Sequence, residues 1–259
     1  MTSQFKIGIV IPARIASVRL PGKPLLEIFG LPMIEHVRRR AMLSLLPNNV
    51  IVASGDVEII SAIEGFGGTA TKSIQEHANG LSRVAEAANH LDFSHVIVLQ
   101  GDEILMLPKQ LNSLISIIST NPEIDFWNGI CPLESADELD DPSVVKCTLK
   151  TNQCIQTMFR KTPLTSPISA QMSLVKKING LFAISRDFLT EVVKHSSTPI
   201  EDAESIEQMK ILELSKDIAT FDMKKNYPSI NLPKDVDKVI EVLSSDPEQI
   251  KILSQIKNW

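Results

Sequence analysis

Through the first half of the chain, short unbroken apolar runs take turns with stretches in which apolar residues recur every three or four positions. Residues 6–11 (KIGIVI) and 95–99 (HVIVL) are runs of the first kind, which suit strands covered on both faces. Residues 49–53 (NVIVA) predict another strand, and 67–71 lead into a further short one. Between them, 33–44 (MIEHVRRRAMLS) place Ile34, Val37 and Ala41 on one side of a helix, and 57–64 and 81–89 also predict helices. Strands separated by helices need crossover connections, so the pattern implies an α/β fold with a doubly wound, mostly parallel sheet.

The pattern changes near Pro132. From there to Pro167 come acidic turn residues, then alternating strand-like stretches, then proline and serine. This predicts an antiparallel arm, inserted at about 132–170 in a single domain spanning 1–259. Beyond it, 180–184 (GLFAI) predict a strand, and 200–214 and 236–243 predict helices. No internal repeat or low-complexity tract interrupts this order.

Composition narrows the partners. Apolar residues make up 43% and charged residues 22%, which argues against extended disorder, and a net charge of −5 argues against a nucleic-acid partner. Cys131, Cys147 and Cys154 are odd in number and lack zinc-ligand spacing, so they read as small buried residues. There is no run of about 18 apolar residues to span a membrane, and no secretory signal at the N-terminus, so the expected location is cytoplasmic and reducing.

Open α/β sheets bind ligands at the carboxyl ends of their strands. That rule singles out 12–24, after the first strand, and 100–103 (QGDE), after the strand HVIVL. Neither GxGxxG nor GxxxxGK[ST] occurs, which removes the main support for a dehydrogenase or a P-loop protein. Arg14, Arg19 and Lys23, with Ser17 and Gly22, suit a loop that surrounds a triphosphate; a solvated cationic turn is the competing reading. Asp102 and Glu103 bring a carboxylate to the same sheet edge, where it can hold Mg²⁺ against substrate phosphates; the competing reading is a turn that ends the strand. Together the two loops point to metal-dependent nucleotidyl transfer.

The string IPARIASVRLPGKPLLEIFGLPMIEHV (11–37) resembles the signature of the sugar-nucleotide cytidylyltransferases, and most closely that of the 3-deoxy-manno-octulosonate (Kdo) cytidylyltransferases. The likeness continues through HANGLSR (77–83), QGDE (100–103), PSVVK (142–146), EQMK (207–210) and PKDV (233–236). The resemblance implies transfer of CMP from CTP to an acidic 2-keto-3-deoxy sugar, with Mg²⁺ as cofactor and a homodimer formed through the 132–167 region. It implies Arg14, Lys23 and Asp102 as catalytic residues. Pro12, Ala13, Arg14, Ser17, Arg19, Gly22 and Lys23, with Asn79 and Gly80, would bind the nucleotide. Arg83, Gln100, Arg160, Glu207 and Gln208 would bind substrate, and Asp102 with Asn231 the metal.

Several positions depart from the family pattern. Asn79 and Leu81 replace hydroxyl residues, Asn231 replaces a metal-binding Asp, Ile178 a His and Phe182 a Tyr. These changes predict a retained nucleotide half and an altered acceptor half. They leave two other functions open: nucleotidyl transfer to a different acidic acceptor, and a catalytically weakened paralogue that binds nucleotide and acts through a partner.

Overall fold

A computed structural model describes residues 5–16, 19–75, 77, 79–89, 91–225 and 227–259. The chain divides into two compact units, one built from 1–120 with 227–259 and the other from 121–226.

The first unit opens with β1 (Ile7–Pro12), buried at every position. After the loop and a 3₁₀ turn at Lys23–Leu25, the two-residue strands β2 (Glu27–Ile28) and β3 (Leu31–Pro32) form a small hairpin. Then come α1 (Met33–Met42), β4 (Val50–Ser54), α2 (Val57–Gly65), β5 (Ala70–Lys72), α3 (Gly80–Asn89), β6 (His95–Leu99) and α4 (Pro108–Thr120). Strands β6, β1, β4 and β5 pair in that order, each pair parallel, as the alternation of strands and helices predicts. At Gly8 on β1, a Cβ would lie 2.1 Å from the Phe93 ring, so only glycine lets the strand lie this close to its cover.

Helix α1 is buried along nearly its whole length, including Glu35, Arg38, Arg39 and Arg40. Buried charges need partners. Glu35 accepts hydrogen bonds from Arg38 Nε (2.7 Å) and NH2 (2.6 Å) and from Arg39 Nε (2.5 Å), while Arg39 NH1 reaches the Ile256 carbonyl at 2.5 Å. Burial pushes His36 down to about 4, so its neutral ring donates from Nε2 to the Ile28 carbonyl at 2.6 Å and ties the β2–β3 hairpin to α1.

The second unit holds β7 (Phe126–Pro132), β8 (Lys146–Leu149), β9 (Ile155–Phe159), α5 (Ile168–Leu174), β10 (Lys176–Ser185), α6 (Arg186–Val192), α7 (Pro199–Glu204), α8 (Met209–Glu213) and β11 (Ala219–Asp222). Strand β7 runs antiparallel to β10 and parallel to β11, and β8 pairs antiparallel with both β10 and β9. The β8–β9 hairpin lies within the stretch after Pro132 and is antiparallel, and β8 joins it to β10. The chain returns to the first unit with α9 (Pro233–Ser245) and α10 (Pro247–Lys257).

One predicted helix is broken. Residues 200–214 form α7 and α8 with Ser205 between them in the left-handed region (φ 52°), so Glu207 and Gln208 lie in a turn and not on a helix. The break is braced from outside: Arg160 Nε donates to the Glu204 carbonyl (2.6 Å) and NH2 to the Ser205 carbonyl (2.8 Å), satisfying groups that a continuous helix would have paired itself. Phe182 is a core residue of this unit, its ring stacked on Phe126 with centroids 5.3 Å apart.

Candidate functional site

Within the first unit, the loops after β1 and β6 line a shared cavity of about 360 Å³. Pro12, Ala13, Arg14, Arg19 and Lys23 contribute from one loop, and Gln100, Gly101 and Asp102 from the other. Their close approach has a local cause. A Cβ at Gly101 would press on the Pro12 carbonyl at 3.1 Å and the Ile34 side chain at 3.2 Å, so glycine there lets the loops meet. Gly22 adopts φ 72°, which turns the chain into the 3₁₀ turn that carries Lys23. Ser17 lies outside the described residues.

Lys23 Nζ donates to Asp102 Oδ2 at 2.8 Å and to the Ile230 carbonyl at 3.0 Å. The Ile230 N–H in turn reaches the Asp102 carbonyl at 3.4 Å, which brings the segment carrying Asn231 beside the end of β6. The Asn231 side-chain nitrogen donates to Ser229 Oγ (3.1 Å), leaving its carbonyl oxygen as the available acceptor. Asp235 caps α9, its carboxylate accepting the Asn231 and Leu232 N–H groups at 3.0 and 2.7 Å.

A residue that the sequence pattern did not single out anchors the cationic loop. Asp56 stands at the N-cap of α2, yet its carboxylate makes no bond to that helix; Oδ2 accepts the Ile15 N–H instead, at 2.7 Å. An Asp before a helix reads as a cap, so nothing in the sequence points to this tether. Arg83 lies close by, buried, with NH1 on Ser73 Oγ at 3.2 Å. Burial lowers its pKa first, Asp56 and Glu86 oppose that, and Arg14 adds to it, so these charges share one field.

Glu86 gathers the segment that leads into α3. It accepts from His77 Nε2 (2.6 Å) and the Ile74 N–H (2.9 Å). Burial works against its charge, but the bonds from His77, Ile74 and Ser73 outweigh it and hold the carboxyl below its ordinary range. Asn79 Oδ1 accepts the Ser82 N–H at 3.0 Å in the first turn of α3, which Gly80 begins.

The other residues drawn from the sequence belong to the second unit. Arg160 braces the α7–α8 break and also donates from NH1 to the Pro142 carbonyl at 2.7 Å. Gln208 Nε2 lies 3.5 Å from Asn128 Oδ1. Lys146, from the PSVVK stretch, is fully buried, its ammonium bonded to the carbonyls of Asp141 and Arg160; burial lowers its pKa.

Among the described residues no group of three or more His, Cys, Asp or Glu side chains is placed to hold a metal by protein groups alone. None of the described helices is long and apolar enough to cross a membrane.

The cytidylyltransferase family profile matches residues 8–218. The 3-deoxy-manno-octulosonate cytidylyltransferase of Escherichia coli is 33% identical over 241 residues, covering 93% of this chain and 97% of that one. Its counterpart in Myxococcus xanthus is 37% identical over 233 residues, covering 89% and 93%. A solved CMP:2-keto-3-deoxy-manno-octonic acid synthetase complexed with CTP matches with a TM-score of 0.86 at 33% identity, over 93% of this chain and 99% of that one. A cytidylyltransferase from Leptospira borgpetersenii, 15% identical with a TM-score of 0.65 over 98% and 95% of the two chains, shares the fold.

Proposed function

We propose that this chain, which belongs to the cytidylyltransferase family, transfers CMP from CTP to an acidic 2-keto-3-deoxy sugar, Kdo or a close relative, and releases pyrophosphate. The observation that carries this reading is the cavity that sets Arg14, Arg19 and Lys23 around one carboxylate, Asp102, at the strand ends. Relatives named for this activity align over most of the chain.

The sugar's anomeric hydroxyl attacks the α-phosphorus and gives up its proton to solvent; the new O–P bond forms in line with the bond from the α-phosphorus to the α–β bridging oxygen, which breaks as pyrophosphate leaves. Little covalent chemistry falls to the protein, so its work is placement and neutralisation of charge. Arg14 and Lys23 grip the triphosphate and meet the charge that develops on pyrophosphate, with Arg19 beside them. Pro12, Ala13, Ser17, Gly22, Asn79 and Gly80 complete the nucleotide contacts. Gln100, Arg83, Glu207 and Gln208 serve the substrate, and Arg160 serves it by holding the turn that carries Glu207 and Gln208.

Asp102, with the Asn231 side-chain oxygen, would hold Mg²⁺. One carboxylate, one amide oxygen and the substrate's phosphates form the oxygen-only donor set that this ion accepts. When bound, the ion would neutralise charge on the phosphates during transfer. The protein is proposed to work in the cytoplasm as a homodimer through the region around β8 and β9, which light scattering would check.

Asp56 gives a sharp test of the loop. Asp56→Ala removes the acceptor for the Ile15 N–H and is expected to raise KM for CTP about tenfold, since a hydrogen bond to a charged group contributes about 1.5–3 kcal/mol. Asp56→Asn, which keeps an acceptor oxygen but loses the charge, should recover only part of the loss; equal defects in both variants would mean that the tether is not what matters.

Acceptor-dependent release of pyrophosphate from CTP tests the function itself. Bound CTP without turnover on any 2-keto sugar acid would favour the binding-protein reading instead.

A further inference from the structure

The Lys23 ammonium stands between two oxygens from distant parts of the chain, Asp102 Oδ2 at 2.8 Å and the Ile230 carbonyl at 3.0 Å. These belong to the end of β6 and to the segment that carries Asn231, the places assigned above to the metal. We propose that Lys23 is the resident counter-cation of this site: the free protein excludes divalent ions, and the nucleotide admits one by drawing Lys23 off Asp102. The proposal rests on the cytidylyltransfer reading and adds an order of binding to it.

Charge supports it first. Among the described residues that line it, the cavity sets three cations, Arg14, Arg19 and Lys23, against the single carboxylate of Asp102. Asn231 is neutral, and the Asp235 carboxylate, whose Oδ2 accepts the Asn231 and Leu232 N–H groups, is not among the described residues that line the cavity. A divalent ion approaching the free site therefore meets net positive charge, and only the phosphates reverse that sign.

Strength supports it next. The Lys23 and Asp102 side chains are 15% and 24% exposed, so water moderates their attraction and an exchange of partners is accessible, unlike one in a dry core. A lysine suits the exchange because its ammonium is a point charge on a flexible stem and needs no fixed planar geometry. Glycine at 22 places a permissive backbone next to it.

Mn²⁺ titrated into the full-length protein without nucleotide, followed by electron paramagnetic resonance of the free ion, reads this directly and needs no turnover. Wild type is expected to leave Mn²⁺ free. Lys23→Met should bind it at least about tenfold more tightly, by removing a like charge a few ångströms away. The gain should vanish in the Lys23→Met, Asp102→Asn double variant. Lys23→Gln gives the same test should the Met variant fold poorly. Tight Mn²⁺ binding by the nucleotide-free wild type, no gain in either Lys23 variant, or a gain that survives the loss of Asp102 would each overturn the proposal. Wild-type turnover combined with any of those results would overturn this inference alone; the expected Mn²⁺ pattern without turnover would overturn the functional reading alone.

Discussion

Asp102→Asn is expected to lower kcat by about a hundredfold to a thousandfold, the range seen when one preorganised electrostatic group is lost from an active site. The substitution keeps the shape of the side chain, and the main-chain contact between the Asp102 carbonyl and the Ile230 N–H does not depend on it. What disappears is the only carboxylate among the described residues that line the cavity. Stability should change little, because the ion pair with Lys23 is partly exposed and such pairs contribute at most about 1 kcal/mol. Paired steady-state kinetics and thermal unfolding separate the two quantities. Near-normal kcat in the Asn variant would remove Asp102 from the chemistry.

Glu35→Gln is expected to do the reverse, destabilising the first unit by about 3–5 kcal/mol, because removing one partner of a buried ion pair leaves uncompensated buried charge. Glu35 is fully buried and holds both Arg38 and Arg39. Arg39 also lies over the Phe66 ring, 5.2 Å from its centroid, and bonds the Ile256 carbonyl, so a loosened Arg39 unsettles the seat of α10 as well. A fall in Tm of roughly 10 °C follows from that energy for a unit of this size. A change below about 2 °C would mean that the arginines find other partners.

The helical period of 33–44 correctly places α1, but it says nothing of why three consecutive arginines on it are buried. Their partners lie far along the chain: Arg38 reaches the Phe66 carbonyl, Arg40 the Met106 carbonyl, and Arg39 the Ile256 carbonyl of α10, a helix not foreseen, whose buried Ile252 and Ile256 join Leu31 and Leu107 in one cluster. Strand β6 was legible to its ends, since four apolar residues in a row after His95, three of them β-branched, suit a strand covered on both faces. The α7–α8 break was not. The sequence from Pro199 to Glu213 contains no glycine and no proline after the first position, so its period runs on while Arg160, some forty-five residues away, supports Ser205 in a left-handed turn.

The candidate site divides in the same way. Arg14, Arg19, Lys23 and Asp102 were legible because strand ends plus charge identify a ligand edge, and the structure sets them around one cavity. Asp56 and Glu86 were not, because their partners are a backbone N–H forty-one residues away and a histidine nine residues away, and no local pattern encodes either. Phe182, which departs from the family's Tyr, is in the structure a core ring stacked on Phe126, so packing within the second unit accounts for an aromatic residue there.

Phosphorus NMR of the protein incubated with CTP, Mg²⁺ and Kdo observes the proposed CMP–sugar bond directly. A new phosphodiester signal is expected to grow in step with pyrophosphate, with CTP as the preferred nucleotide of the four. CTP that stays intact with Kdo and with every other 2-keto-3-deoxy sugar acid supplied, while still binding the protein, would contradict it.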